Sequence, residues 1–545
     1  MSQHLWRRRD LLATAAGAAL SQVLHGLRPI PAKASHHNWS RAGLQALRRQ
    51  LRGELLQPAL PWQQATKSIL AKLRNPFWIQ DQPGGLQSTG WLNGWTASAS
   101  RWAIAATCAE DLAAGVNFAR DHNLRLVVKG AGHDYLGRNC APDSLLLWTH
   151  RMRQITVHEA FLPEGAPAGT KAEAAITVQA GNRWLEVYEQ ATRAGRYVQG
   201  GGCTSVGACG GFVLGSGFGS FSKRFGTGAA NLLQAKVITA DGVIRTVNAH
   251  QHPDLFFALR GGGPCTFAVL SEITLLSHPI PQRLTVITGG VKASTDAAYR
   301  ELIEAFMRFA PGNLDNPSWG EQVKFGPHNT LGFTLTALDL ESSAVRSTFE
   351  AFLQPFRARP QDFEVQPVYT DLPFEQLWNA SYWEDVEPSM IKRDPRPGSP
   401  ANRFWWGSNQ VEVGAFWNSY DSLWVSAAAM SDQPSTVADA FFEASRHKDF
   451  ALHLNKGLSG EHPQAKARDE QTSLNPSCFD AIGLVIAASL QQYRYPGLKS
   501  HEPDRQQGAK EAARVAAVMQ TLRQQLPDLG TYSPQTNYFQ SDAAQ

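Results

Sequence analysis

Strands alternating with capped helices from about residue 98, an Asp241-Gly242 hairpin signal and a glycine-dense stretch from Gly200 to Gly228 predict an α+β fold. The alternation implies parallel-type crossovers, and the Asp-Gly pair implies antiparallel hairpins in the same domain. A chain of 545 residues is too long for one small core and predicts two or three domains. We place a leader at 1–34, a helical lead-in at 35–97, an α+β ligand-binding domain of two subdomains at 98–280, a mixed-sheet domain at 281–500 and a terminal segment at 501–545.

The leader carries Arg7-Arg8-Arg9-Asp10-Leu11-Leu12, then an Ala-rich apolar run and an Ala32-Lys33-Ala34 cleavage pattern. Paired arginines before x-Leu-Leu match a twin-arginine export signal, so the mature protein is expected to be periplasmic or secreted. A plain secretory signal is the rival reading. The apolar run is too short for a stable membrane span. In the lead-in, Trp39-Ser40 opens an amphipathic helix through Leu44, Leu47 and Leu51, and Pro58, Pro61 and Pro76 break up the residues beyond it. It shows no chemistry.

The first strand of the α+β domain is Arg101–Ile104, and Thr107 with Glu110 forms a capping box for a helix ending near His122. Leu124–Val128 is a buried strand and Ala174–Val178 another. Asn182 caps a helix that stops at Gly195. Leu232–Thr239 and Val243–Val247 flank the Asp241-Gly242 turn, of type I′. A helix Pro253–Leu259 runs into Gly261-Gly262-Gly263, and strand Phe267–Leu275 closes the domain. Further strands are expected at Arg283–Thr288, Thr330–Leu338 and Val411–Phe416.

The net charge of +4 without a long basic run argues against nucleic acid, and six cysteines without a CxxC pair argue against structural zinc; no metal ligands are assigned. The nearest approach to a dinucleotide fingerprint, Gly215-Ser216-Gly217-Phe218-Gly219-Ser220, is a miss, and no Walker motif or serine elbow occurs. Glycine loses much conformational freedom on folding, so its density at 200–228 implies close backbone approach to a large, flat, anionic ligand. A second glycine-flanked cluster lies upstream, Val127-Val128-Lys129-Gly130-Ala131-Gly132-His133-Asp134-Tyr135. The two loops are read as holding one flavin, with His133 and Cys203 as candidate covalent attachments. For each the alternative is structural: a loop histidine bonded to backbone, or a buried free cysteine. A Cys203–Cys209 disulfide is a further alternative.

These residues resemble the berberine-bridge-enzyme-like branch of the vanillyl-alcohol-oxidase superfamily, which carries a PCMH-type FAD-binding domain. The branch's R/K-G-G-H-x-Y loop corresponds to Lys129-Gly130-Ala131-Gly132-His133-Asp134-Tyr135. Its G-x-C-P/T-T-V-G-x-G-G loop corresponds to Gly201-Gly202-Cys203-Thr204-Ser205-Val206-Gly207-Ala208-Cys209-Gly210-Gly211. The likeness covers about 98–280 strongly and the remainder weakly. It implies bicovalent FAD, with His133 on the 8α-methyl carbon and Cys203 on C6. Lys129 would lie near the pyrophosphate, and Gly130, Ala131 and Gly132 would supply N–H groups. Gly207, Gly210, Gly211, Gly215 and Gly217 would continue the cradle, with Gly261 and Gly262 as its third part. Asn231 would contact the flavin or cap the next strand.

Catalysis, by the same resemblance, would fall to Tyr135 and to Tyr538 of Thr536-Asn537-Tyr538-Phe539. A free phenol has pKa about 10, so either needs a partner to act as base. Trp378, Trp383, Phe404, Trp405, Trp406, Phe416 and Trp417 could line a pocket for a sugar or aromatic alcohol, or fill core; His453-Leu454-Asn455-Lys456-Gly457 has no assigned role. Berberine-bridge-like chains continue beyond the Asn-Tyr pair, so the terminal segment reads as truncated. The expected function is an exported FAD-dependent oxidoreductase acting on an alcohol or carbohydrate, with dioxygen as acceptor. A dehydrogenase with another acceptor and a truncated, inactive flavin-binding protein are the rivals.

Overall fold

The computed structural model of the protein describes residues 39–540, apart from 65 and 528. The segment expected to be an export leader, 1–34, lies outside the described residues. Three larger sheets organise the chain. A four-stranded sheet joins Glu54–Leu56, Trp102–Ala105, Ser144–Trp148 and Arg125–Lys129 in that order. Its last three strands run parallel, and the helix Ala109–Asp121 makes the crossover that parallel pairing requires. A six-stranded antiparallel sheet comes next, built on the long strand Val269–Pro279. The third sheet has nine strands, from Phe363–Pro373 at one edge to Trp95–Thr96 at the other. The α+β class is therefore observed.

Local chemistry differs from the sequence reading at several places. The helix Ala109–Asp121 is not started by a Thr107–Glu110 box. Instead the buried carboxylate of Asp111 accepts N–H bonds from Thr107, Arg52 and Gly53 and the Thr107 hydroxyl, tying lead-in to helix. The helix Trp184–Arg193 is boxed by Arg183 and Glu186, while Asn182 donates to the carbonyls of Gln154 and Gln179. At Asp241-Gly242 only Gly242 has positive φ (77°), so the turn is not type I′, which needs two such residues. Pro76 begins a helix, Pro76–Gln80, at the position where its missing N–H costs nothing.

The helices Asp296–Asn313, Ser342–Arg357, Pro434–His447 and Arg505–Gln525 bury their apolar faces against the nine-stranded sheet, around Phe306, Phe325, Phe441 and Leu522. Another core extends from beneath the six-stranded sheet to Trp378, Trp383, Phe404 and Trp405. Tyr188 stacks on Trp378 with ring centroids 4.0 Å apart. Most of the aromatic run expected to line a substrate pocket is thus packing. Among the described residues, no helix is long and apolar enough to cross a membrane.

Candidate flavin cleft and proton-accepting dyad

The strand Arg125–Lys129 ends at the edge of a cleft of about 500 Å³, lined by residues 126–135, 206–207, 209–212 and 264–270 and closed by Lys456, Tyr532 and Gln535. Parallel strands end on one side of their sheet, and the loop leaving Lys129 opens there. The N–H groups of Gly130, Ala131 and Gly132 donate to no protein acceptor among the described residues. Gly132 turns at φ 79° and Gly210 at φ 79°, both disfavoured for residues with a Cβ. An added Cβ at Gly210 would meet nothing within 4 Å, so its role is backbone geometry rather than space. Unpaired amides facing a glycine-walled cleft suit phosphate and ring-carbonyl oxygens.

Lys129 does not face such a ligand with its charge. Its Nζ donates to the carbonyls of Gln82, Pro83 and Gly85 at 2.9, 2.7 and 2.8 Å, which uses all three N–H bonds. Only the stem of Lys129 borders the cleft, and its ammonium pins the lead-in beneath the His133 loop. Gly207, Gly211 and Gly210 line the cleft as expected. Gly215 and Gly217 stand behind its wall: the Gly215 carbonyl accepts the Tyr532 hydroxyl, and the Gly217 carbonyl accepts the Gly228 N–H. Gly261 and Gly262 pack against Leu474 and Ser473, and the residues after them, 264–270, form the lining instead. Asn231 is buried; its amide donates to the Phe225 and Thr227 carbonyls and its oxygen accepts from His278, away from the cleft.

His133 lies on the cleft with Nε2 turned inward, 3.2 Å from the Gln80 amide nitrogen and 3.1 Å from Ser205 Oγ. Burial pushes its pKa down to about 4, which keeps the imidazole neutral and nucleophilic. Cys203 is a free, partly buried thiol that does not itself line the cleft; its Sγ is 3.5 Å from the same Ser205 Oγ that contacts the cleft-lining His133. Burial pushes the thiol up to about 11, opposed by hydrogen bonds from Ser205. Its loop is clamped from outside: Thr204 Oγ1 donates to the Phe404 carbonyl (2.7 Å), and Trp406 Nε1 to the Gly202 carbonyl (2.9 Å). All six cysteines are free, so no Cys203–Cys209 disulfide forms.

Tyr135 borders the cleft and donates its hydroxyl to Glu412 Oε2 at 2.9 Å. Burial and the neighbouring carboxylate raise the phenol well above its ordinary range, and burial raises Glu412 as well. Trp417 and Tyr420 hold the ring at centroid distances of 4.6 and 5.5 Å. Lys456 reaches the cleft, donates to Gln535 Oε1 and lies 5.6 Å from the Tyr532 ring centre; burial lowers it to about 8. Tyr538 is not part of this group. It is 38% exposed, tilted against Trp91 with ring centroids 6.0 Å apart and packed on Gly94, and it is Tyr532 that lines the cleft. Glu412 and Gln80 had no motif to announce them, because one ends a short 3₁₀ segment and the other sits in the lead-in.

The FAD binding domain family matches residues 101–248. The chain is 34% identical over 255 residues to an uncharacterized FAD-linked oxidoreductase of Arthroderma benhamiae, covering 47% of this chain and 44% of that protein. It thus spans less than half the length of the curated relatives it matches. Among solved structures, a VAO-type flavoprotein of Myceliophthora thermophila superposes with TM-score 0.73 at 21% identity, over 94% of this chain and 90% of that one. A berberine bridge enzyme variant gives 0.64 at 15% identity, over 90% and 87%. A chitooligosaccharide oxidase gives 0.61 at 14%, over 91% of both. The unpaired amides, the glycine walls and a neutral histidine at the cleft fit the flavin that the matched domain implies.

Proposed function

We propose that the chain is a berberine-bridge-like member of the vanillyl-alcohol-oxidase superfamily and an exported FAD-dependent oxidoreductase that oxidises an alcohol or carbohydrate, a reading supported by the FAD binding domain match at 101–248 and by the likeness in fold. The amides of 130–132 and the 207–211 loop would hold the flavin, tied covalently by His133 and Cys203. Bound FAD would supply the hydride acceptor for the carbinol carbon and pass the electrons to dioxygen. The export reading rests on the paired arginines near the N-terminus, and the carbohydrate reading is supported by the likeness to a chitooligosaccharide oxidase.

The observation that carries the proposal is the Tyr135–Glu412 hydrogen bond at the cleft. A substrate hydroxyl bound at Tyr135 Oη can give up its proton there while the phenol proton moves to Glu412. Burial makes that carboxylate more basic than usual, and the pair shares a charge that neither bears alone. Trp417 and Tyr420 fix the phenol and exclude water from its face. The test is anaerobic flavin bleaching by a panel of sugars and primary alcohols, with wild type and Tyr135→Phe side by side. Bleaching by at least one substrate, slowed about 10²–10⁴-fold in the variant, supports the reading; equal rates would sink it. Oxygen uptake set against dye reduction then separates oxidase from dehydrogenase.

A further inference from the structure

We infer that Ser205 is the positioning residue through which both flavin attachments are made. The inference rests on the covalent reading of His133 and Cys203 above. Ser205 Oγ lies 3.1 Å from His133 Nε2 and 3.5 Å from Cys203 Sγ, so a single hydroxyl touches both attachment residues.

The direction of that contact is set by the groups around the ring. Gln80 is fixed in orientation: its oxygen accepts from Arg183 at 3.3 Å, and its nitrogen donates to the Ser205 carbonyl at 2.6 Å. Toward His133 Nε2 it can therefore present only N–H. Among the described residues Nδ1 has no hydrogen-bond partner, and it is the ring nitrogen left for the cleft. For Nδ1 to attack carbon it must hold a lone pair, which places the proton on Nε2. Gln80 cannot accept that proton's hydrogen bond; Ser205 can, through Oγ at 3.1 Å with its backbone carbonyl nearby, and only the Oγ bond also reaches Cys203. Once Ser205 accepts from His133, its own O–H is free to donate to Cys203 sulfur, where it favours the thiolate. One chain, His133 N–H to Ser205 O–H to Cys203 S, makes both nucleophiles competent. Gln80 provides the opposing bias, toward the tautomer with Nδ1 protonated.

In each attachment a new bond, Nδ1–C or S–C, replaces one hydrogen on the nucleophile and one on the flavin. Those two protons and two electrons leave to dioxygen as one hydrogen peroxide per link. Ser205 donates and accepts hydrogen bonds but is unchanged at the end.

The experiment compares Ser205→Thr and Ser205→Val, matched in shape and differing in the hydroxyl, with wild type. Denatured proteins are digested, and the peptides bearing His133 and Cys203 are examined by mass spectrometry for covalent flavin; total flavin is measured before denaturation. The wild type and the Thr variant should carry both links. The Val variant should bind flavin that denaturation releases, with each linked fraction lowered about tenfold or more. Gln80→Met in the Val background removes the opposing donor and should raise the His133-linked fraction again. Equal linkage in Thr and Val variants overturns the inference, and so does a Thr variant that binds flavin yet links no better than Val. Should the Val variant not fold, Ser205→Ala replaces it under the same criteria. A wild type with no link at all defeats the covalent reading itself, a result distinguishable from every variant-specific one.

Discussion

Tyr135 borders the cleft and its hydroxyl is bonded to the Glu412 carboxylate, and neither group is useful without the other. The phenol alone would hold its proton far above neutral pH, and Glu412 alone, buried near the Lys456 ammonium, would have no hydroxyl to relay a proton from. Glu412→Gln keeps the shape and removes the proton acceptor. We expect substrate-driven flavin reduction to slow about 10²–10⁴-fold while flavin content stays unchanged, measured by stopped-flow absorbance. Loss of flavin with the substitution would mean that Glu412 supports the fold instead. Tyr135 was named through the family resemblance of the loop in which it stands two residues after His133. Glu412 was not, since a lone glutamate in an irregular turn has no periodicity, and only the folded chain brings it 277 positions back to Tyr135. Tyr538 shows the converse: an Asn-Tyr pair near the terminus drew attention by resemblance, whereas the segment's docking places Tyr532 at the cleft.

At the scale of elements, the lead-in is the surprise. Its short helix Pro76–Gln80 and the turn after it supply Gln80 to His133, three carbonyls to Lys129 and Asp81 to a half-buried ion cluster with His150 and Arg396. Proline-broken sequence suggested loop, yet the hydrogen-bond demand of a buried ammonium organises it. Lys129→Met fills the same space without donors and leaves three carbonyls unpaired. A loss of about 3 kcal/mol or more in unfolding free energy is expected from urea titration, together with weaker flavin retention. A change within about 0.5 kcal/mol would show that the lead-in is held by other contacts. Strands such as Leu124–Val128 and Ala174–Val178 were readable because their runs are apolar and bounded by turns, whereas the buried strand Ser144–Trp148 was not read. Helix starts were read less well, since Asp111 ties the start of its helix to Arg52 and Gly53, distant in sequence, and at the other helix Arg183 with Glu186 takes the place expected of Asn182.

Across the whole molecule, the flavin-binding half and the nine-stranded half meet at a buried carboxyl pair. Asp469 accepts from the Thr227 N–H (3.1 Å) and hydroxyl (2.6 Å), and Glu461 lies beside it. Burial and the Asp469 carboxyl raise Glu461 above its ordinary value. A carboxyl whose folded pKa is raised binds more protons folded than unfolded, so its contribution to stability falls as pH rises past about 4.5. Glu461→Gln removes that dependence. The variant's melting temperature relative to wild type should therefore climb between pH 5 and pH 8, by scanning calorimetry. A constant difference would contradict the buried, proton-sharing pair.

Two loops meeting over one cleft are proposed to hold a flavin by two bonds. Intact mass spectrometry of the denatured wild type, His133→Ala, Cys203→Ala and the double variant tests this most directly. One FAD is expected on the wild type and on each single variant, and none on the double. A wild-type protein that sheds its flavin on denaturation, or a double variant that keeps it, would contradict the claim.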